Sequence, residues 1–347
     1  MHWTVGRAVV LSTTMRASLA ELLAAGRTLL ADGATGTNYF ERGLGAGDPP
    51  EFWNADHPDR VRTLHQQFVD SGADIILTNT FGCNRHRLKL HRAEGRVYEL
   101  AKRAAELACE VADASPRPVV VAGSIGPTGE LFEPLGALTE AAAIESFAEL
   151  AAGLKAGGAD VAWIETMSAA EEIRAAATAA VREGLPYTAT CSFDTAGRTM
   201  MGLRPSDLSH VFDGLAEPPL AIGANCGVGA SDTLVSLLAM TERDVHTFLI
   251  SKGNCGVPYF AGTEAVYTGT PELMGKYTQL AVKAGARIVG GCCGTSPLHL
   301  AAMRHSLDEL TARPTVEDII EAVGPLVNAA RSTSPPERER RRARRDE

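Results

Sequence analysis

Short runs of β-branched and small apolar residues, each leading into a more polar, alanine-rich stretch, recur eight times, and this alternation constrains the fold more than any single motif. The runs are TLLADG (28–33), ADIILTNTF (73–81), PVVVAGSIG (118–126), ADVAWIET (159–166), YTATCSF (187–193), LAIGANCG (220–227), HTFLISKGN (246–254) and ARIVGGCCG (286–294). Most of the stretches between them, such as PDRVRTLHQQFVDSG and ELMGKYTQLAVKAG, place apolar residues at a period near 3.6, which predicts helices. Gly72, Gly158, Gly184 and Gly285 stand just before the next run, where a helix needs a stop. Strands apolar on both faces and joined by helices form a parallel sheet covered on both sides. Eight such units predict a single α/β domain, a (β/α)8 TIM barrel, with an open doubly wound sheet as the alternative. The usual nucleotide-binding versions of that alternative lack support, because no GxGxxG follows the first strand and no GxxxxGK[ST] occurs. The expected organisation is an N-terminal extension over 1–15, the barrel over 16–330 and a charged, disordered tail over 331–347.

The polar residues gather at one end of these strands. Asp32, Asn79, Thr80, Ser124, Glu165, Asp194, Asn225, Cys226, Asn254, Cys292 and Cys293 all fall at or just beyond a C-terminal strand end. In parallel barrels that rim carries the chemistry. The Gly/Pro-rich segment 44–52 and the segment 127–138 follow strands one and three, so either is a candidate lid.

Seven cysteines without a regular spacing point to a reducing compartment, where clustered thiols mean metal or catalysis rather than crosslinks. Cys292 and Cys293 are adjacent within GGCCG, and Cys226 ends strand six in NCG. Strands six and eight are separated by one strand, so their ends share an arc of the rim. Three thiolates there would hold a tetrahedral Zn²⁺ with one position open, the usual arrangement for a catalytic zinc. Such a site carries net negative charge and is a poor activator of water. It suits a substrate thiol, which loses its proton on coordination and attacks a carbon electrophile. Cys109 and Cys191 read instead as small buried residues.

At this point the chain resembles the homocysteine S-methyltransferases, a family that includes betaine–homocysteine methyltransferase and the homocysteine-binding domain of cobalamin-dependent methionine synthase. The matching segments are LLADGATGT (29–37), TNTFGCN (78–84), GSIGPTG (123–129), ET (165–166), GANCG (223–227), NCGVP (254–258) and GGCCGTSPLHL (290–300). The resemblance implies that Cys226, Cys292 and Cys293 bind zinc and that Asp32 and Glu165 receive the α-amino group of homocysteine. It also implies that backbone amides around Gly33 and Ala34 take the carboxylate; Asn225, beside a ligand, reads as orienting the site. The implied reaction is zinc-dependent methyl transfer from a small donor to the homocysteine thiolate, a step of methionine biosynthesis.

No cobalamin module or second, folate-type barrel is seen in the sequence, so the expected donor is a small onium compound, with glycine betaine first. S-methylmethionine, a dimethylsulfonium compound and methyl-folate or methylcobalamin are the alternatives. A cationic donor calls for aromatic faces, and Trp53, Phe81, Trp163, Tyr259, Phe260 and Tyr267 are the candidates. Gly82 and Thr166 stand where the animal betaine enzymes carry aromatic residues, and Cys255 departs from an NAGxP-like turn; it is not expected to be a ligand. Two readings from other classes are a lyase forming a Schiff base on Lys252, and a non-catalytic zinc- or homocysteine-binding protein.

The net charge of −9 argues against a nucleic-acid surface. No apolar run reaches the roughly 20 residues of a membrane span, and no secretory leader is evident. The expectation is a cytoplasmic enzyme acting on small molecules, free of nucleic acid and membrane, with homo-oligomerisation left open.

Overall fold

The computed structural model describes residues 16–242, 247–261, 264–308 and 315–326. The extension over 1–15 and the tail over 331–347 lie outside the described residues.

Eight parallel strands form the expected barrel: β1 (Leu29–Leu30), β2 (Ile75–Leu77), β3 (Val120–Ile125), β4 (Val161–Met167), β5 (Tyr187–Cys191), β6 (Ala221–Cys226), β7 (Phe248–Gly253) and β8 (Ala286–Gly291). Each of β2 to β8 pairs in parallel with the next, and β8 pairs with β1. The remaining seam, β1 to β2, is the thinnest. It holds one parallel bridge, Ala31 to Ile75, flanked by the amide bonds Asp32 N to Ile75 O and Asp74 N to Leu30 O.

The helices Pro58–Asp70, Val97–Ala114, Glu140–Ala156, Ala170–Arg182, Ala230–Met240, Pro271–Lys283 and Pro297–His305 follow seven of the strands, and a 3-10 segment, Pro205–Phe212, follows β5. The four glycines read as helix stops all adopt left-handed backbone, with φ between 73° and 107°. Most strand ends fall earlier than the apolar runs suggested, β4 running one residue further to Met167. In β2 the ladder stops at Leu77, because the next residues turn onto side-chain partners: the Thr78 hydroxyl accepts the Ser124 amide, and the Thr80 hydroxyl donates to Ser124 O.

Strand side chains alternate between two cores. Leu29, Ile75, Leu77, Val120, Ala122, Val161, Trp163, Ala221, Ile250 and Ile288 fill the barrel interior. Their neighbours Leu30, Ile76, Val121, Ala162, Ile222, Leu249 and Val289 pack outward under the helices. The short helix Leu19–Ala24, begun by a Ser18–Glu21 capping box, joins Leu19, Leu22 and Leu23 to the interior cluster. Each such leucine stabilises the barrel by about 1.5–3 kcal/mol. An antiparallel hairpin, Tyr259–Ala261 with Glu264–Val266, is inserted after β7 and had no clear signal in the sequence.

Candidate functional site

The inward parity that packs Ala122, Trp163, Ala221 and Ile250 into the barrel also carries Ser124, Glu165, Asn225 and Lys252 to its C-terminal mouth. Above them the chain brings three thiols together. The Sγ atoms of Cys226, Cys292 and Cys293 lie within 4.8 Å of one another, with Cys226 and Cys293 3.9 Å apart. Tetrahedral zinc with bonds of about 2.3 Å needs sulfurs about 3.8 Å apart, so this donor set fits such an ion in both chemistry and spacing.

Local backbone sets the convergence. Cys226 ends β6 in the left-handed region at φ 59°, followed by Gly227 at φ 70°. A non-glycine residue there costs about 1 kcal/mol or more, which neighbouring bonds must offset. The Thr233 hydroxyl donates to Cys226 O, and the Ser192 hydroxyl accepts the Gly227 amide. Asn254 joins the two thiol-bearing turns: its Nδ2 donates to Gly227 O at 2.9 Å and its Oδ1 accepts the Cys293 amide at 3.0 Å. Asn254 was visible in the sequence as a rim residue, but nothing there revealed it as this clasp. Gly291 leaves room for the Thr295 side chain, which a Cβ at that position would overlap.

Asn225 supports the other side. Its Oδ1 accepts the Thr166 amide at 2.8 Å and the Thr190 hydroxyl at 2.7 Å; its Nδ2 donates to the Thr166 hydroxyl at 2.7 Å and faces Cys292 Sγ at 3.8 Å. Thr166 itself has φ 61°, so Asn225 holds a second strained residue beside the thiols. The three thiols share their protons unevenly: hydrogen bonds from Cys226 and Cys292 hold Cys293 well below an ordinary thiol, while the same contacts push Cys226 far up. The Tyr267 hydroxyl, just past the inserted hairpin, also bonds Cys293. Cys255 is buried, gives its amide to Cys293 O, and stands outside the thiol cluster.

Asp32 and Glu165 are both buried in the mouth. Asp32 Oδ2 accepts the Leu77 amide at 2.7 Å, and Oδ1 pairs with Lys252 Nζ at 2.9 Å. Glu165 accepts the Ser124 hydroxyl at 2.5 Å, and burial raises its pKa to about 7. Burial works against the Lys252 ammonium, but Asp32 and Glu165 outweigh it and keep its pKa above the ordinary lysine value. That is the wrong direction for a Schiff-base nucleophile, which must be neutral to attack. The Ala34 amide is already given to Thr295 O at 3.0 Å, so of the two amides expected to meet a carboxylate this one is engaged.

A cavity of about 510 Å³ opens onto Cys226, Cys292, Cys293, Glu165 and Lys252. Gly33, Ala34 and the 47–51 part of the first lid candidate line it, whereas 127–138 does not. Among the described residues, the aromatic candidates do not gather into a cage. Trp53 is buried against Tyr39, and Trp163 lies one layer below Glu165 in the barrel interior. Tyr259 does not line the cavity, Tyr267 faces Cys293, and the Phe260 side chain lies outside the described residues. Phe81 does line the cavity, with the Arg87 guanidinium 5.7 Å from its ring centroid.

Residues 29–307 match the family described as Homocysteine S-methyltransferase. Methionine synthase of Mycobacterium tuberculosis (strain ATCC 25618 / H37Rv) is 29% identical over 323 residues, covering 86% of this chain and 26% of that protein. Methionine synthase of Mycobacterium leprae (strain TN) is 30% identical over 293 residues, covering 79% and 24%. The chain thus spans about a quarter of the length of these curated relatives. Among solved structures, the metallated form of the homocysteine methyltransferase MmuM from Escherichia coli superposes with a TM-score of 0.67 at 24% identity, covering 82% of this chain and 98% of that one. Its oxidized form gives 0.68 at 23% identity, covering 82% and 97%. At these identities the likeness carries the fold.

Proposed function

Since the chain belongs to the homocysteine S-methyltransferase family, we propose that it moves a methyl group from a small donor to the thiolate of L-homocysteine, with Zn²⁺ on Cys226, Cys292 and Cys293. The observation that carries this is the convergence of three thiols from two strand ends on the floor of an open cavity. When bound, zinc would lower the proton affinity of a substrate thiol while leaving its sulfur electron-rich.

The chain's own groups do the rest. Asn225 and Asn254 fix the two turns that aim the sulfurs, as partners of metal ligands commonly do. Glu165, held by the Ser124 hydroxyl, is placed to receive the substrate ammonium. Asp32 contributes negative charge to the same pocket but has both oxygens engaged, so its part is exerted through Lys252. The loop at 47–51 forms the outer wall, where a donor would sit above the sulfur.

Glycine betaine heads the donors to be tried, ahead of dimethylsulfoniopropionate, S-methylmethionine and methyl-folate. Among the described residues, the dispersed aromatic side chains give no cage that singles out an onium cation, so the reading stands on the thiol-accepting half of the reaction. The test is methionine formation from homocysteine with each donor, alongside metal content. One zinc per chain and turnover with at least one donor are expected. A metal-free protein that binds no thiol would overturn the proposal.

A further inference from the structure

Lys252 enters the proposed reaction only as the partner of Asp32, yet it is placed at its centre. It is 2% exposed, projects inward from β7 and lies in register with Asn225 on β6 and Gly290 on β8, beside both thiol-bearing strand ends. It reaches the cavity wall together with Glu165, Cys292 and Cys293. An ammonium has three donors. Asp32 takes one at 2.9 Å, and among the described residues no second protein acceptor is found. The Nζ also stands 5.6 Å from the Trp163 ring centroid, so its lower side rests on an aromatic surface.

The charges around the mouth sharpen the point. Three thiols, Asp32 and Glu165 make it acidic, yet an amino acid entering it brings a carboxylate as well as an ammonium. The Ala34 amide is committed to Thr295 O, and the other amides of the 33–37 turn that line the cavity are neutral donors without a full charge. Lys252 supplies a full positive charge opposite Glu165, and Asp32 holds it in one position.

Resting on the homocysteine reading, we infer that Lys252, anchored by Asp32, binds the substrate α-carboxylate while Glu165 binds the α-ammonium. The substrate is then recognised as an α-amino acid by a pair of opposite charges on β4 and β7, both reaching the same cavity, with the thiol directed at the cysteines. Lys252 is a binding residue here, and Asp32 a positioning residue that acts through it.

The test is calorimetric binding to the zinc-loaded protein of three thiols: L-homocysteine, 4-mercaptobutyrate (no ammonium) and 3-aminopropanethiol (no carboxylate). In the unaltered protein, 3-aminopropanethiol should bind roughly 10–100-fold more weakly than homocysteine, as expected for loss of a hydrogen bond to a charged group. Lys252→Met should weaken homocysteine and 4-mercaptobutyrate by a similar factor and leave 3-aminopropanethiol within about threefold. Lys252→Arg, which keeps the charge, should recover most of the loss. Equal weakening of all three thiols in Lys252→Met would make the lysine structural and overturn the assignment. So would equal binding of homocysteine and 3-aminopropanethiol to the unaltered protein, an arm that needs no variant to fold. If no thiol binds the unaltered protein at all, the parent reading falls and this one with it.

Discussion

Two buried aspartates staple the same weak seam of the barrel from opposite ends, and their surroundings differ in an instructive way. Asp74, just before β2, accepts the Leu30 amide of β1; Asp32, just after β1, accepts the Leu77 amide of β2. The two bonds are near mirror images. At the N-terminal end, however, Asp74 is surrounded by Arg27, Arg117 and Arg304, and Arg117 also donates to Val69 O and Ala73 O. At the C-terminal end, Asp32 has one cation among the described residues, Lys252, which lines a cavity together with the thiols. A carboxylate saturated by arginines holds a fold together. One that shares a single cation at a cavity wall leaves that cation's other donors over, which is what the proposed carboxylate contact uses.

That contrast can be tested from the largest effect downward. Cys226→Ala or Cys292→Ala should abolish zinc retention and methionine formation while leaving the far-UV circular dichroism intact. Full metal content and turnover in either variant would erase the functional side of the comparison. Asp74→Ala should do the reverse. Removing one partner of a buried ion pair costs about 3–5 kcal/mol, and the solvated arginines place this case at about 2–3 kcal/mol. The thermal midpoint should fall by ~3–4 °C with the KM for homocysteine unchanged.

Asn225→Ala should reduce zinc affinity or kcat/KM by ~10–100-fold, the range typical of groups that orient metal ligands. An unchanged rate would show that Thr166 and Cys292 are held without it.

The smallest effect is a pH dependence. Burial raises Glu165 to about 7, so the site gains its negative charge as the pH rises through that value. The affinity ratio of homocysteine to 4-mercaptobutyrate should therefore climb several-fold between about pH 6 and 8. Glu165→Gln should flatten that climb. Without ligand, the raised pKa acts in the opposite sense on folding: its contribution is full below the ordinary glutamate range and is lost as the pH rises through about 7. A ratio that stays level in the unaltered protein would remove Glu165 from the ammonium site.

The barrel was legible because its evidence is local and repeated: short strands apolar on both faces, helical stretches and glycine stops that take left-handed backbone where expected. The thiol cluster was legible because two of its members are adjacent and the third ends a strand on the same arc of the rim. Pairing across the barrel was not. Asp32 and Lys252 are 220 residues apart, and their contact depends on register that no local pattern states. Of the aromatic candidates, Phe81 lines the cavity, whereas Trp163 was misplaced for a reason the sequence did contain. Trp163 precedes Glu165 by two residues, so strand parity puts it one layer deeper, in the barrel interior rather than on the rim. The plug helix Leu19–Ala24 lies next to the N-terminal extension and was not distinguished as an element in its own right.

The most direct test counts the sulfurs around the bound metal. X-ray absorption on the zinc-loaded protein should give three sulfurs at about 2.3 Å without substrate and four once homocysteine is added. A sulfur count that does not rise on adding homocysteine, or a first shell without the three cysteines, would contradict it.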